Sequence, residues 1–413
     1  VLADSSVDFS ALLRLGSARR EGGTNRWCLL RRTFDLTSTP DGAEIDVTAD
    51  GRYQLFINGV RVGRGPTRCN PAQQRFDHYD DIAPVLSAGR NVFAVLFHVY
   101  GTDMAWYETA SAPWQSVFGD GAFWLEARVK TSSGLVAIGS DECWRWIDCP
   151  AWRTDTPRSG WGQDFIEDFD ARLMPEGWTA TNFADDAWPH ARVLRTTSTE
   201  TDRAKGFGAI EPFPVLVRSP QPRAVENVRW PKAILGVYSV RPSPADPLDR
   251  ALYTENLAIF AEGDAPAVDG LIDGRDGVVV STSAHHDVAI VLDFGERHNG
   301  YPAIEIEGVG GEIVEVAAAE TYDGQYDEAH LPRLVRATFM DCAHMFRYTA
   351  CAGRQRFEKF EWVATRFVQI VVRNAPAGLR IHAVTSRETR HPLDRCGAFA
   401  TDDMFLNRLW TAG

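Results

Sequence analysis

The chain has 413 residues, is 44% hydrophobic and 24% charged, and carries a net charge of −13. One core rarely serves a chain this long, so two or three domains are expected. The acidic balance argues against a phosphate-tracking surface built on clustered Lys and Arg, and no apolar run approaches the roughly 20 residues of a membrane-spanning helix.

Seven cysteines are scattered at Cys28, Cys69, Cys143, Cys149, Cys342, Cys351 and Cys396. Without Cys-x-x-Cys spacing they give neither a zinc site nor a disulfide framework. Cys143 and Cys149 could pair across a turn, but buried free thiols are the expectation. The sequence opens at Val1 rather than Met, which leaves room for an upstream segment. It shows no charged-then-apolar leader and no Asn-x-Ser/Thr acceptor, so the compartment stays open.

From the front, period-two alternation dominates. In 43–48, Ile45 and Val47 alternate with Glu44 and Asp46, and Asp50-Gly51 makes a turn. Tyr53, Leu55 and Ile57 then alternate up to Asn58-Gly59, with Val60 and Val62 resuming beyond. Asn-Gly between alternating apolar runs predicts a two-residue hairpin, because both turn positions need positive φ. Residues 91–99 are apolar at nearly every position, the pattern of a central strand covered on both faces. Phe123, Leu125, Ala127 and Val129 alternate again. Gly- and Pro-rich turns separate these runs, and no long 3.6-residue period intervenes. Residues 27–204 therefore read as a β-sandwich, with 1–26 as a lead-in.

Eight prolines from Pro212 to Pro247 crowd the next stretch. Proline removes a ladder donor, so 205–283 reads as a connector with edge strands, with a short helix expected in 249–261. Strands return over 288–294, 313–319, 346–349, 367–372 and 381–384, and Ile304 and Ile306 lead into a glycine turn at 308–311. Residues 284–396 read as a second β-sandwich. Gly308, Gly310 and Gly311 are no dinucleotide fingerprint, since a strand follows them. The last segment changes period. Thr401-Asp402-Asp403 can cap and charge a helix start, and Phe405, Leu406, Leu409 and Trp410 share one helical face. So short a helix is marginal alone, its apolar face needs a partner, and 397–413 is read as cut from a longer chain.

Six motif groups recur in order. They are Ala49 to Gly59 with Val62-Gly63-Arg64-Gly65-Pro66; Phe76-Asp77-His78-Tyr79-Asp80 with Leu86, Gly89, Asn91 and Val92; and Phe169-Asp170-Ala171-Arg172 with Gly177-Trp178 and Asp186-Ala187-Trp188. There follow Leu292-Asp293-Phe294-Gly295 with Asn299-Gly300-Tyr301; Ala319-Glu320-Thr321 with Phe346-Arg347-Tyr348-Thr349; and Gly397-Ala398-Phe399 with Asp402, Leu406 and Asn407. In this order the chain resembles the bacterial α-L-rhamnosidases, glycoside hydrolase family 78-like, which place β-sandwiches ahead of an (α/α)6 catalytic barrel. Three stretches depart from the pattern. His298 stands in a turn that is usually polar and often Gln-containing, 361–367 matches the family's Gly-Phe-Arg-Tyr stretch only loosely, and 232–282 matches nothing.

The resemblance implies an all-β fold: tandem β-sandwiches of jelly-roll or galactose-binding-like type, with 397–413 as the first helix of the barrel. It implies an inverting hydrolase that releases terminal rhamnose from glycosides or polysaccharides. Such cleavage uses two carboxyls, which the family carries in its barrel. No catalytic residue is therefore assigned here, and the chain alone is expected to be inactive. The implied partners are a rhamnose-containing carbohydrate and the catalytic domain of the same protein, not nucleic acid or membrane.

Sugar contact by the first sandwich is the function left to this chain. Aromatic faces pack on sugar C–H surfaces while polar groups read hydroxyls. The loop after 91–99 offers Trp106, Tyr107 and Glu108, with Trp114 and Gln115. The competing reading places such tryptophans in a core or domain interface. Asp77, Asp80 and Asp81 form an acidic cluster that suits calcium or, more plainly, a solvated strand edge. Asp273-Gly274-Arg275-Asp276-Gly277 reads as a solvated turn. Gly160-Trp161-Gly162-Gln163-Asp164 reads as structural, and His285-His286 as surface, since adjacent strand residues face opposite ways. Glu320 and Tyr322 would line the barrel side in the family layout, or form a sheet-edge pair. The alternatives to an enzyme fragment are a stand-alone carbohydrate-binding sandwich protein and a scaffold or adhesion module. A different glycosidase or a polysaccharide lyase with the same front end is a further reading. The apolar stub at 402–410 favours the fragment.

Overall fold

The computed structural model describes residues 12–14, 24–67, 69, 73–101, 121–159, 164–194, 215–240, 242, 258–259, 265–272, 274, 277–320, 344–393 and 396–412. Among these residues the chain is mostly strand, with one α-helix at Met404–Ala412. No helix among them is long and apolar enough to cross a membrane, which says nothing of β-barrels.

The Asn-Gly hairpin forms as its sequence requires. Asn58 and Gly59 take φ of 50° and 84°, and Ile57 pairs with Val60 across the turn. Asn58 does more than turn the chain: its Oδ1 accepts from Val92 N at 2.9 Å, and its Nδ2 donates to Val85 O and Asn91 Oδ1 at 2.8 Å each. The hairpin is thereby tied to the neighbouring strand Gly89–Val99.

Two sheets make the first sandwich. One runs Arg192–Leu194, Leu12–Arg14, Ala122–Thr131, Gly42–Ala49, Gln74–Tyr79, Leu216–Arg218, with Gly134–Gly139 hairpinned onto Ala122–Thr131. The other runs Arg145–Asp148, Arg26–Leu36, Gly89–Val99, Arg52–Ile57, Val60–Gly65. Gly89–Val99 is the middle strand, buried from Asn91 onward, as its unbroken apolar run predicts. Phe93, Val95, Phe97 and Val99 face Ile45, Val47, Phe123 and Leu125 inside the sandwich. Ala94 and Leu96 point the other way, into a larger core that also holds the interior of the second sandwich.

That second sandwich is a single eleven-stranded sheet folded on itself. Its axis is the 23-residue strand Asp287–Val309. The first half of this strand pairs with Ala233–Val240 and Val363–Arg373; the second half pairs with Ala352–Glu358 and Leu379–Arg390. The change of partner follows a register shift between Asp293 and His298. Gly295 there takes φ of 85°, a conformation that favours glycine. Val288, Ile290, Leu292 and Phe294 from one layer meet Ile304, Ile306, Phe357 and Ile381 from the other.

The Pro-rich stretch supplies strands to both sandwiches. Leu216–Arg218 adds parallel to Gln74–Tyr79, while Val225–Arg229 and Val278–Val280 pair with Leu379–Arg390. Ala258–Ile259, inside the stretch expected to be helical, pair instead with Tyr238 and Ser239, because the open ladder of Ala233–Val240 takes a strand there. The rest of 249–261 lies outside the described residues. Glu167–Asp170, read from sequence as part of the first β-region, joins Met345–Thr349 of the second sheet in parallel register. Cys28 and Cys149 are buried thiols, while Cys143 and Cys396 lie at the surface. Cys143 and Cys149 therefore do not pair, and the expectation of buried thiols holds only in part.

Candidate functional site at the sandwich junction

The seven described tryptophans before residue 200 are Trp27, Trp124, Trp144, Trp146, Trp152, Trp178 and Trp188, and all are buried. Burying one removes a large apolar surface from water, and several do so where the sandwiches meet. Trp27 is stacked between His98 (ring centroids 3.7 Å) and Trp152 (4.5 Å), with Phe360 edge-on at 4.9 Å. Trp152 continues to Phe169 at 4.4 Å, and Phe169 to Tyr348 and Phe357. One aromatic file thus runs from the first sandwich into the second.

A charged network surrounds this file, and its centre is the turn after Ala352–Glu358. Glu358 accepts from Arg61 Nη1 at 2.6 Å, Arg64 Nη2 at 2.7 Å and Arg387 Nε at 2.8 Å. Arg61 and Arg64 belong to the edge strand Val60–Gly65 of the first sandwich. Lys359, 1% exposed, lies 2.7 Å from Asp164 Oδ2 and 3.2 Å from Glu167 Oε1. Glu361 accepts from Arg52 Nε at 3.0 Å and from the Tyr100 hydroxyl. Side chains from four residues in a row, Glu358 to Glu361, reach first-sandwich residues or the segment 164–167.

Burial alone would discharge these groups. Burial pulls Lys359 down, but Asp164 and Glu167 more than reverse this and hold it above an ordinary lysine. Burial raises Glu358, and Arg64, Arg61 and Arg387 overcome it, bringing the carboxyl down to about 2. Asp164 stays below its usual value through Lys359 and Ser159, whereas burial leaves Glu167 above its own. His98 is pushed down to about 3 by burial. It is therefore neutral near pH 7, with Nε2 donating to Asn25 Oδ1 at 2.9 Å. The arrangement ties the second sandwich to first-sandwich residues and to the segment 164–167.

The residues singled out from sequence fall elsewhere. Trp106, Tyr107, Glu108, Trp114 and Gln115 lie outside the described residues, as do Tyr322, 160–163 and Asp273. Asp77 is turned inward: its carboxylate accepts from Tyr53 Oη at 2.7 Å and from Thr67 Oγ1 at 2.6 Å. Asp80 and Asp81 are exposed. The three do not gather, and no group of three or more His, Cys, Asp or Glu suited to a metal occurs among the described residues. Asp164, read as structural, is a partner of Lys359. Gly274 and Gly277 take φ of 67° and 64°, which suits a turn. His285 is exposed and His286 Nδ1 meets Ser283 Oγ at 2.8 Å. Glu320 is exposed. Sequence reasoning missed Glu358, Lys359 and Glu361, whose only signal was the alternation of aromatic and charged residues in Phe357-Glu358-Lys359-Phe360-Glu361.

Comparison with known proteins agrees with this architecture. Residues 38–208 match the alpha-L-rhamnosidase N-terminal domain. An alpha-L-rhamnosidase of Formosa agariphila is 25% identical over 168 residues, covering 39% of this chain and 17% of that protein. The structure of a family 78 rhamnosidase of Bacillus sp. GL1 superposes with a TM-score of 0.75 at 19% identity, over 98% of this chain and 57% of that one. The alpha-L-rhamnosidase of Streptomyces avermitilis, solved with L-rhamnose, gives 0.59 at 20% identity over 94% and 31%. The chain thus spans less than two thirds of each of these relatives. Residues 38–208 are thus similar to the alpha-L-rhamnosidase N-terminal domain, and the chain as a whole shares the fold of these rhamnosidase structures.

Proposed function

We propose that this chain is the non-catalytic, all-β part of an inverting α-L-rhamnosidase that releases terminal rhamnose from glycosides or polysaccharides. The observation that carries this reading is the match to the family's N-terminal domain over 38–208. It is supported by a junction whose charged groups are tied to one another rather than presented to a substrate. Inverting hydrolysis needs an acid and a base flanking the bond, with room for a water between them. In this reading that pair sits in a helical domain outside these 413 residues. Met404, Phe405, Leu409 and Trp410 are each at least half exposed, and this apolar face is where the helical domain docks.

The test is hydrolysis of an aryl α-L-rhamnoside by this chain and by the longer native protein that contains it. The expected result is turnover with inversion by the longer protein and none by the chain. Turnover by the 413-residue chain, or none by either, overturns the reading. Sugar contact through Trp106, Tyr107, Glu108 and Trp114 belongs to the same proposal. Titration of L-rhamnose into the chain should give a heat that Trp106→Ala removes; no heat with the unsubstituted chain ends that part.

A further inference from the structure

We propose that the turn Phe357–Glu361 is a clamp that makes the two sandwiches one cooperative folding unit, with Lys359 as its key. Tandem sandwiches ordinarily meet through modest polar interfaces, and relative motion is the default expectation. Three observations depart from that here. One core is common to both: Trp27, Leu29, Ala94 and Leu96 of the first sandwich share a continuous cluster with Val288, Ile304, Phe357 and Val368 of the second. One strand is exchanged: Glu167–Asp170 leaves the first β-region and pairs with Met345–Thr349.

The third observation is the clamp itself. Lys359 reaches Asp164 and Glu167 on the exchanged segment, and the backbone N of Phe360 donates to Glu167 at 2.9 Å. Glu358 binds the edge strand of the first sandwich through Arg61 and Arg64. Glu361 binds Arg52, from the strand Arg52–Ile57, and Tyr100, which directly follows the central strand. Removing Lys359 strands two buried carboxylates together on the segment that leaves the first β-region for the second sheet, so the cost falls where the chain crosses from one sandwich to the other.

The experiment is differential scanning calorimetry of the full chain with Lys359→Met, Glu358→Gln and, as a control inside the second sandwich, Arg366→Ala. The control breaks the Arg366–Asp293 pair at 2.9 Å, which joins two strands of that sheet. The unsubstituted chain should unfold in one transition, with calorimetric and van 't Hoff enthalpies in a ratio of roughly one. Lys359→Met should split that transition or lower the apparent van 't Hoff enthalpy by about half, and the control should move the midpoint without splitting it. If Lys359→Met does not fold, the milder Glu358→Gln gives the same readout. Two transitions in the unsubstituted chain, or a single one in whichever clamp variants fold, overturns the proposal.

Discussion

At the scale of single residues, the junction depends on groups that would be costly if left alone. Lys359 is held by Asp164 and Glu167, so Lys359→Met should destabilise the elements it joins by about 3–5 kcal/mol, read from amide exchange over 167–170 and at Phe360. Glu358 gives a pH dependence with a definite sign. Its carboxyl lies at about 2 in the fold against 4.5 ordinarily. The stability it contributes is therefore complete above about pH 4.5 and is lost as pH falls toward 2. Burial raises Glu167 and Asp77 instead; these groups take up protons earlier when folded and oppose the loss on the upper part of the descent. Glu358→Gln should flatten the loss of stability between about pH 4.5 and pH 2, measured by thermal melts across that range; an unchanged slope counts against the assignment. Arg31 shows the same logic inside one sandwich. Its side chain is buried, held by Asp185 at 2.9 Å and by the carbonyls of Trp178 and Ala180. This pins the Gly177-Trp178 motif to the strand Arg26–Leu36.

At the scale of elements, the C-terminal helix is the clearest case of local rules acting without tertiary support. Asp403 Oδ1 accepts from Phe405 N at 2.8 Å, an N-cap, while Asn407 bonds back to Thr401. Phe399 and Trp410 lie with tilted rings 5.6 Å apart, but none of the helical residues is buried. Asp403→Ala should cost the helix about 1 kcal/mol, visible as faster amide exchange over 405–407. The double change Phe405→Ser and Leu409→Ser should shift the stability of this chain by less than about 0.5 kcal/mol while reducing its binding of an apolar dye. A large loss of stability would show that the face already packs within these 413 residues. The strand Asp287–Val309 shows the opposite dependence. Its apolar halves read as two strands in sequence, and only the partners on either side of the bulge make it one.

At the scale of the whole molecule, the sheets are arranged so that one surface serves two cores. The central strands of the five-stranded sheet are buried on both faces, by their own sandwich and by the next. That is why the central strand lacks alternation and why so many tryptophans are buried. A tryptophan-rich front half invites a sugar-binding reading. Among the described residues those rings instead pack against His98, Phe169 and one another. The reading that placed them in a core or interface is the one these seven follow.

The sequence by itself determined what depends on near neighbours. Alternation specified strands, Asn58-Gly59 specified a hairpin, Thr401-Asp402-Asp403 marked a helix start, and six ordered motifs carried the resemblance to the α-L-rhamnosidases. Each of these is a local property of φ, hydrogen-bond donors or spacing, and each is legible within about ten residues. What only the tertiary structure decided was partnership across long separations. Lys359 meets Asp164 and Glu167 from nearly two hundred residues away. Glu167–Asp170 changes sandwich, and Phe-Glu-Lys-Phe-Glu becomes a buried clamp instead of a strand with one wet face. A charged side chain looks the same in sequence whether water or an opposite charge solvates it. Only the fold, by removing the water and supplying the partner, distinguishes the two.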